Sequence, residues 1–443
     1  MTGEGRRMQE IFRRRREAFF ARMAEARGDD AIAVVAAAQT QVRNDTVDHP
    51  FRQDSDFYYL TGFEEPDAIL VMTTRERKTT LFVRPSDPKS EIWDGARAGI
   101  DGAKANFGAD EAFNLAELDA NLVKLLQNQH RLYYRIGRNR SLDARVLAAI
   151  ERGRMRGRSP HHFPSEIVDP GVVLHEQRLF KSEDDLVKMR KAAAITAEAH
   201  VRAMAMARPG MNEAEIEGMF LETFRRRGAK RAAYQPIVGS GPNTTVLHYI
   251  ENGRMMEEGD LLLIDAGAEY EYFASDVTRT FPVSGTFSRE QRALYEVVLE
   301  AQLESIAACR AGTPIDAVHD RAVEVVTRGL VRLGLLSGEP EKLIAEEKYK
   351  PFFMHRSNHW LGMDVHDVGG YFVGAKVRPL EPGMVLTVEP GVYISKNFTN
   401  VPPEWRGIGI RIEDDVAITE REPEVLTGAI PKSVDDVERA CRG

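Results

Sequence analysis

Cysteine is nearly absent from this chain. Of 443 residues only Cys309 and Cys441 are cysteines, and they lie in unrelated contexts. That excludes a disulfide framework and a thiolate zinc site, and it fits a reducing cytoplasm. Long apolar runs are missing too. The longest, residues 31–38, is too short to span a bilayer and reads as a buried strand. No apolar signal core follows the basic cluster of Arg6, Arg7 and residues 13–16, and Glu4, Glu10 and Glu17 argue against an arginine-rich transit peptide. Met8, Ile11, Phe12, Phe19, Phe20 and Met23 share one helical face, which predicts an amphipathic surface helix. The formal net charge of −8 leaves no basic excess for a phosphate backbone or an anionic lipid surface, so no nucleic-acid partner and no membrane partner is expected.

A length of 443 residues suggests two domains, and the patterning divides near Lys181. Residues 1–180 alternate strand-like runs (31–38, 68–72, 80–83) with helical spacing (115–126, 142–150), the mark of an α/β domain. A proline-bearing stretch, 158–169, interrupts it and carries His161 and His162, which without a third ligand nearby read as an exposed loop. Ser182 and Asp185 form a capping-box start for a helix that stops at Pro209-Gly210, and another helix follows Asn212. Residues 181–443 then run in blocks: strands at 237–238, 261–264, 272–273 and 280–283, helix over 287–333, strands again at 385–388, 408–412 and 416–418. This second domain is expected to be α+β.

Five ligand-type residues stand in or at the ends of short apolar stretches of that domain: Asp265, Asp276, His359, Glu389 and Glu413. Burying an ionised carboxylate is costly unless a cation or a proton compensates it. Leu261–Ile264 delivers Asp265 to a strand end, Gly267 permits a sharp turn, and the chain returns through Tyr272-Phe273 to Asp276. Glu389 follows the run 385–388, and Arg411 and Glu413 alternate onto one face of a strand. Histidine is scarce, 11 in all, yet His355, His359 and His366 fall within one short segment. Four oxygen-donor residues with one nitrogen donor favour a hard ion such as manganese. Two such ions a few ångströms apart point to metal-assisted hydrolysis.

Several ordered segments carry a resemblance. They include Tyr234-Gln-Pro-Ile-Val-Gly-Ser-Gly, Leu247-His248-Tyr249, Ser275-Asp276-Val-Thr-Arg-Thr-Phe-Pro282, Ser357-Asn-His359-Trp-Leu-Gly, Asp364-Val-His366-Asp367-Val-Gly, Leu380-Glu-Pro-Gly-Met-Val-Leu-Thr-Val-Glu389-Pro-Gly and Gly407-Ile-Gly-Ile-Arg-Ile-Glu413-Asp-Asp. In the first domain, Phe51 to Gly62 and Glu91-Ile-Trp93 also match. From about Thr46 to about Thr427 the chain resembles the pita-bread metallopeptidases, and within them the aminopeptidase P (Xaa-Pro aminopeptidase) family. The resemblance implies a pita-bread (creatinase/aminopeptidase-like) catalytic domain at 181–443, behind an N-terminal domain that serves oligomerisation and substrate access. It implies two divalent metal ions, most simply Mn2+, with Asp276 and Glu413 bridging both. Asp265 would complete the shell of one ion, and His359 with Glu389 that of the other. Glu389, His248 and His366 would be catalytic. His355, Val365, Tyr393 and Arg411 would bind substrate, together with Trp93 from a neighbouring subunit of a homo-oligomer, a dimer or tetramer. The implied substrates are peptides with proline in second position, cut after the first residue. One departure stands in the loop Gly374-Ala-Lys376-Val-Arg378, where close relatives carry an arginine. Prolidase, acting on Xaa-Pro dipeptides, is the nearest alternative. Metal-free members of the fold would lack ligands that are all present here.

Overall fold

The amphipathic N-terminal pattern folds as one helix, Gly3–Arg27. Its stripe of Ile11, Phe12, Phe19, Phe20 and Met23 is buried. The Phe12 ring meets Tyr58 edge-on and closes over Gly62, which ends the helix Ser55–Thr61 at φ +67°. Any Cβ at Gly62 would lie 2.2 Å from that ring, so both the backbone angle and the contact require glycine.

The computed structural model describes residues 3–27, 30–155 and 160–442, and the chain divides into two compact units, Met1–Gln177 and Arg178–Gly443. The first unit is built on a six-stranded mixed sheet. Its order is Glu111–Asn114, Lys78–Val83, Ile69–Thr73, Ala31–Ala36, Arg131–Tyr133, Glu166–Val168. Ala31–Ala36 runs antiparallel to Ile69–Thr73 and parallel to Arg131–Tyr133. The helices Leu118–Leu125 and Arg140–Arg154 pack Leu118, Leu122, Val146 and Ile150 against Ile32, Val34 and Val71 of the sheet. The α/β expectation thus matches this unit in composition. Part of the expected loop from Arg158 lies outside the described residues. His161 and His162 beyond it are exposed, and His161 Nδ1 stands 3.1 Å from Asn128 Oδ1.

In the second unit Ser182 caps the helix Glu183–Met206 through a complete capping box with Asp185. Asn212 does the same for Glu213–Arg226 with Glu215. The helical block at 287–333 is two helices, Arg289–Ala308 and Ile315–Arg332, separated at Gly312, whose φ of +86° an α-helix cannot hold. The strands lie in small antiparallel groups. Ile237–Ser240, Leu261–Asp265 and Thr278–Pro282 form one; Val385–Val388, Asp414–Ala417 and Glu424–Val425 form another; Gly391–Ile394 pairs with Ile408–Arg411. Two details differ from the sequence pattern. The strand beside Leu261–Asp265 is Thr278–Pro282, whereas Phe273–Ala274 pairs with Ala268–Tyr270. The alternation from Arg411 to Glu413 is broken, because Ile408–Arg411 and Asp414–Ala417 belong to different ladders.

One buried group in this scaffold titrates against the fold. His200 is fully buried and donates from Nε2 to the Ala266 carbonyl. Burial pushes its pKa down from 6.5 to about 3. The unfolded chain therefore holds one proton more than the folded chain between those values, so this contribution is full above pH 6.5 and is lost as pH falls. The loss is about 1.4 kcal/mol per pH unit. His200→Gln, which keeps an N–H for Ala266 but cannot be protonated there, is expected to flatten the fall of the urea midpoint between pH 6 and pH 4. Equal slopes for the two proteins would show that the buried ring accepts its proton within the fold.

Candidate active site

Strand register gathers the ligand-type residues in pairs. Asp265 stands opposite Thr278, and Ala266 N donates to Val277 O, so the chain arrives at Asp276 beside Asp265. In the second group Val388 stands opposite Asp414, so Glu389 and Glu413 leave neighbouring strand ends together. Segment 357–361 runs alongside: Thr387 N donates to His359 O and Glu389 N to Ser357 O. That backbone pairing sets His359 between the two carboxylate pairs. Its Nε2 lies 3.4 Å from Asp276 Oδ2 and 3.6 Å from Glu389 Oε1. Ligand atoms of Asp276, His359 and Glu413 all lie within 4.8 Å of one another.

These residues open onto a cleft of about 450 Å³. Asp265, Asp276, His359, Glu389 and Glu413 all line it, joined by His248, His355, Val365, His366 and Arg411. Two other expected residues do not. Tyr393 is 2% exposed and sits behind the wall, its hydroxyl 2.9 Å from His355 Nε2 and accepting from Arg411 Nη1 at 3.0 Å. The strand Gly391–Ile394 turns it inward, where it braces the wall from behind. Trp93 belongs to the other unit, on the helix Pro88–Asp94, where it is 87% exposed. Lys376 lies on an exposed hairpin, Phe372–Val373 with Lys376–Val377, and does not line the cleft.

The electrostatics test whether metal ions fit. Burial raises Glu389 to about 7; His359 and Arg411 oppose that rise, and Asp276 and Asp265 add to it. Burial, with repulsion from Asp276, Glu389 and Asp265, holds Glu413 well above its ordinary value. Burial also raises Asp265, although Arg411 Nη2 donates to its Oδ2 at 2.6 Å. Burial would lower His359, but Asp276 and Glu389 outweigh it and raise the ring to about 9. The protein's own groups thus leave the cluster with more negative charge than they neutralise. The donor set, oxygen-rich with one imidazole, is one that divalent ions satisfy. His355 goes the other way, lowered to about 4 by burial and by the facing Arg411. Burial and His359 lower His366.

Supporting groups surround the ligands. Tyr234 donates to Asp265 Oδ1 at 2.6 Å, and Thr278 Oγ1 donates to Glu413 Oε2 at 2.6 Å. Asp415 accepts from Ser275 Oγ and from Asp276 N. The fully buried Arg279 donates to the Glu413 carbonyl at 2.6 Å and to Asp414 Oδ1 at 2.8 Å. None of these roles was read from the sequence. A signal was there for Thr278, two residues after Asp276 at the start of a strand. Asp415 had none, because its partners lie about 140 residues away.

Residues 187–420 match metallopeptidase family M24, and residues 12–133 match the aminopeptidase P N-terminal domain. The chain belongs to metallopeptidase family M24. The Xaa-Pro aminopeptidase of Escherichia coli (strain K12) is 44% identical over 96% of each chain, and that of Haemophilus influenzae 42% identical over 97% of this chain and 96% of its own. The solved structure of Pseudomonas aeruginosa aminopeptidase PepP superposes with a TM-score of 0.95 at 47% identity, covering 98% of both chains. A zinc-substituted E. coli aminopeptidase P in complex with product gives 0.94 at 44% identity, again over 98% of both. The architecture is therefore that of aminopeptidase P, with a pita-bread catalytic unit, and the chain is a metallo-aminopeptidase that works with divalent metal ions.

Asp276 faces both halves of the cluster, so its loss should be felt by every ligand. In the wild-type chain a thousandfold excess of divalent ion over Kd is expected to raise Tm by about 10 °C, from ~4 kcal/mol of linkage at about 2–4 °C per kcal/mol. Asp276→Ala is expected to lose that rise and to retain no ions on elemental analysis. A variant that kept two ions per chain would overturn the central placing of Asp276.

Proposed function

We propose that this chain removes the first residue from peptides with proline in second position, using two Mn2+ ions held by Asp265, Asp276, His359, Glu389 and Glu413. The observation that carries the reading is the convergence of these five side chains, with His248, His355 and His366, on one cleft. When bound, the ions supply Lewis acidity and a water activated at neutral pH.

The remaining steps fall to the chain's own groups. Asp276 and Glu413 would hold both ions, Asp265 would complete the ligand set of one, and His359 with Glu389 that of the other. The free amine of the substrate lies toward Asp265. Glu389 takes a proton from the attacking water and gives it to the departing prolyl nitrogen. His366 donates to the carbonyl oxygen as charge develops there. His248, exposed at the mouth of the cleft, assists binding and proton traffic.

Proline follows from what the bond lacks. A prolyl nitrogen has no N–H, so a site that reads it needs shape instead of an acceptor. His355, Val365 and Arg411 form that wall, with Tyr393 bracing His355 and Arg411 from behind. Trp93, exposed on its own unit, reaches the site of a neighbouring copy in a homo-oligomer. The two cysteines are both free and buried, which supports a cytoplasmic setting, and no described helix is long and apolar enough to cross a membrane.

Xaa-Pro-Yaa tripeptides are expected to be cut after the first residue, far faster than Xaa-Pro dipeptides, in a panel repeated with manganese, zinc and cobalt. A dipeptide preference would replace this reading with prolidase. Trp93→Ala is expected to lower kcat/KM about tenfold, a loss of ~1.4 kcal/mol. Unchanged kinetics would show that Trp93 does not reach substrate.

A further inference from the structure

Four charged side chains that belong to no ligand set gather around one short loop. Residues 361–370 carry Val365 and His366 to the wall of the cleft. Among the described residues the His366 ring takes no hydrogen bond from the protein, and it meets His359 edge-on with centroids 4.5 Å apart. Its direction is therefore set by the backbone that bears it.

That backbone is pinned on both sides of His366. Asp364 accepts from Arg178 Nη2 at 2.9 Å. Asp367, with its side chain 1% exposed, accepts from Arg178 Nη2 at 2.6 Å and from Lys181 Nζ at 3.0 Å. Both cationic side chains are 2% exposed. Lys181 is itself fixed, its backbone N donating to Gly383 O at 2.7 Å. Asp367 N donates to Trp360 O, and Ala274 N donates to Gly362 O from the stretch that leads to Asp276. Gly362 makes room for the clamp: a Cβ there would lie 2.1 Å from Asp367 Oδ2 and 2.8 Å from Lys181 Cε. Apolar residues could fill such a space at least as favourably as buried ion pairs. Directional pairing on either side of one residue gives what apolar packing does not, a single loop position.

We propose that Arg178 and Lys181 are positioning residues for the hydrolysis: by holding Asp364 and Asp367 they fix where the His366 ring meets the substrate. This rests on the reading of His366 as a group that contacts substrate. A displacement of about 1 Å in such a group can cost about 100-fold in rate.

The test uses the full chain loaded with manganese. Asp364→Asn and Asp367→Asn are made alone and in a His366→Ala background, and kcat, KM and bound metal are measured. Amide hydrogen exchange over 361–370 is followed in the metal-free chain. For Asp364→Asn we expect kcat to fall about 10- to 100-fold with KM changed less than about threefold. Metal content should be unchanged and exchange over the loop faster. Added to His366→Ala, the same change should cost nothing more. Additive losses, or a Asp364→Asn kcat within about twofold of wild type, would overturn the clamp. Should Asp367→Asn not fold, Asp364→Asn decides, since that side chain is 37% exposed. A His366→Ala variant with full activity would overturn the reading of His366, and the clamp with it. An impaired His366→Ala beside an unimpaired Asp364→Asn would overturn the clamp alone.

Discussion

Repulsion among Asp265, Asp276, Glu389 and Glu413 is the constraint on which the second unit depends. Each is drawn from water, and each raises the cost of ionising its neighbours. The protein supplies partial relief. Arg411 and Tyr234 serve Asp265, Thr278 serves Glu413, and His359 lies between Asp276 and Glu389. These donors orient the carboxylates without matching their charge. What remains is an appetite for cations, and it explains why one cluster can be both a binding site and an internal strain until it is filled.

Holding repelling groups together requires a frame that does not yield. Here the frame is register. Two antiparallel strand pairs each release two carboxylates from adjacent ends, and a slip of one residue would turn them to the opposite face. Buried ionic contacts outside the cluster hold the register. Arg279 bonds the carbonyl of Glu413 and the side chain of Asp414, while Lys432 and Gln302 complete Asp414. Arg279 and Asp414 are both fully buried, and burial of so strong a pair favours the one arrangement in which both find partners.

Much of this was legible in the sequence, for a local reason. A short apolar run that ends in an acid, as at Ile264-Asp265 and Val388-Glu389, already says that a buried strand hands a carboxylate to something. The capping boxes at Ser182 and Asn212 and the helix stops were likewise written within a few residues. What escaped was non-local. Tyr393 reads as a wall residue, but the strand Gly391–Ile394 turns it behind His355 and Arg411, a fact set by pairing with Ile408–Arg411. The break from Arg411 to Glu413 is hidden by a sequence that alternates throughout. Arg178 and Lys181 look like ordinary charges before a helix until the fold brings Asp367, more than 180 residues on, against them.

Three of the histidines lining the cleft, His355, His359 and His366, show how position assigns chemistry to identical side chains. Burial pushes each of them toward neutrality. His359 alone is carried upward, because it faces Asp276 and Glu389, the place where a cation would stand. His355 is turned toward Arg411, and its Nδ1 gives its proton to the Arg356 carbonyl, so Nε2 is left to accept from Tyr393. That ring is fixed in one tautomer by its neighbours. Among the described residues the His366 ring has no such hydrogen-bond partner. A neutral ring beside a pair of divalent ions can give a hydrogen bond to a carbonyl oxygen without adding a third positive centre, whereas an imidazolium there would repel the ions that the carboxylates hold. The carboxylate cluster thus sets the charge of His359 as well as its own, while burial, Arg411 and His359 hold the other two rings toward neutrality.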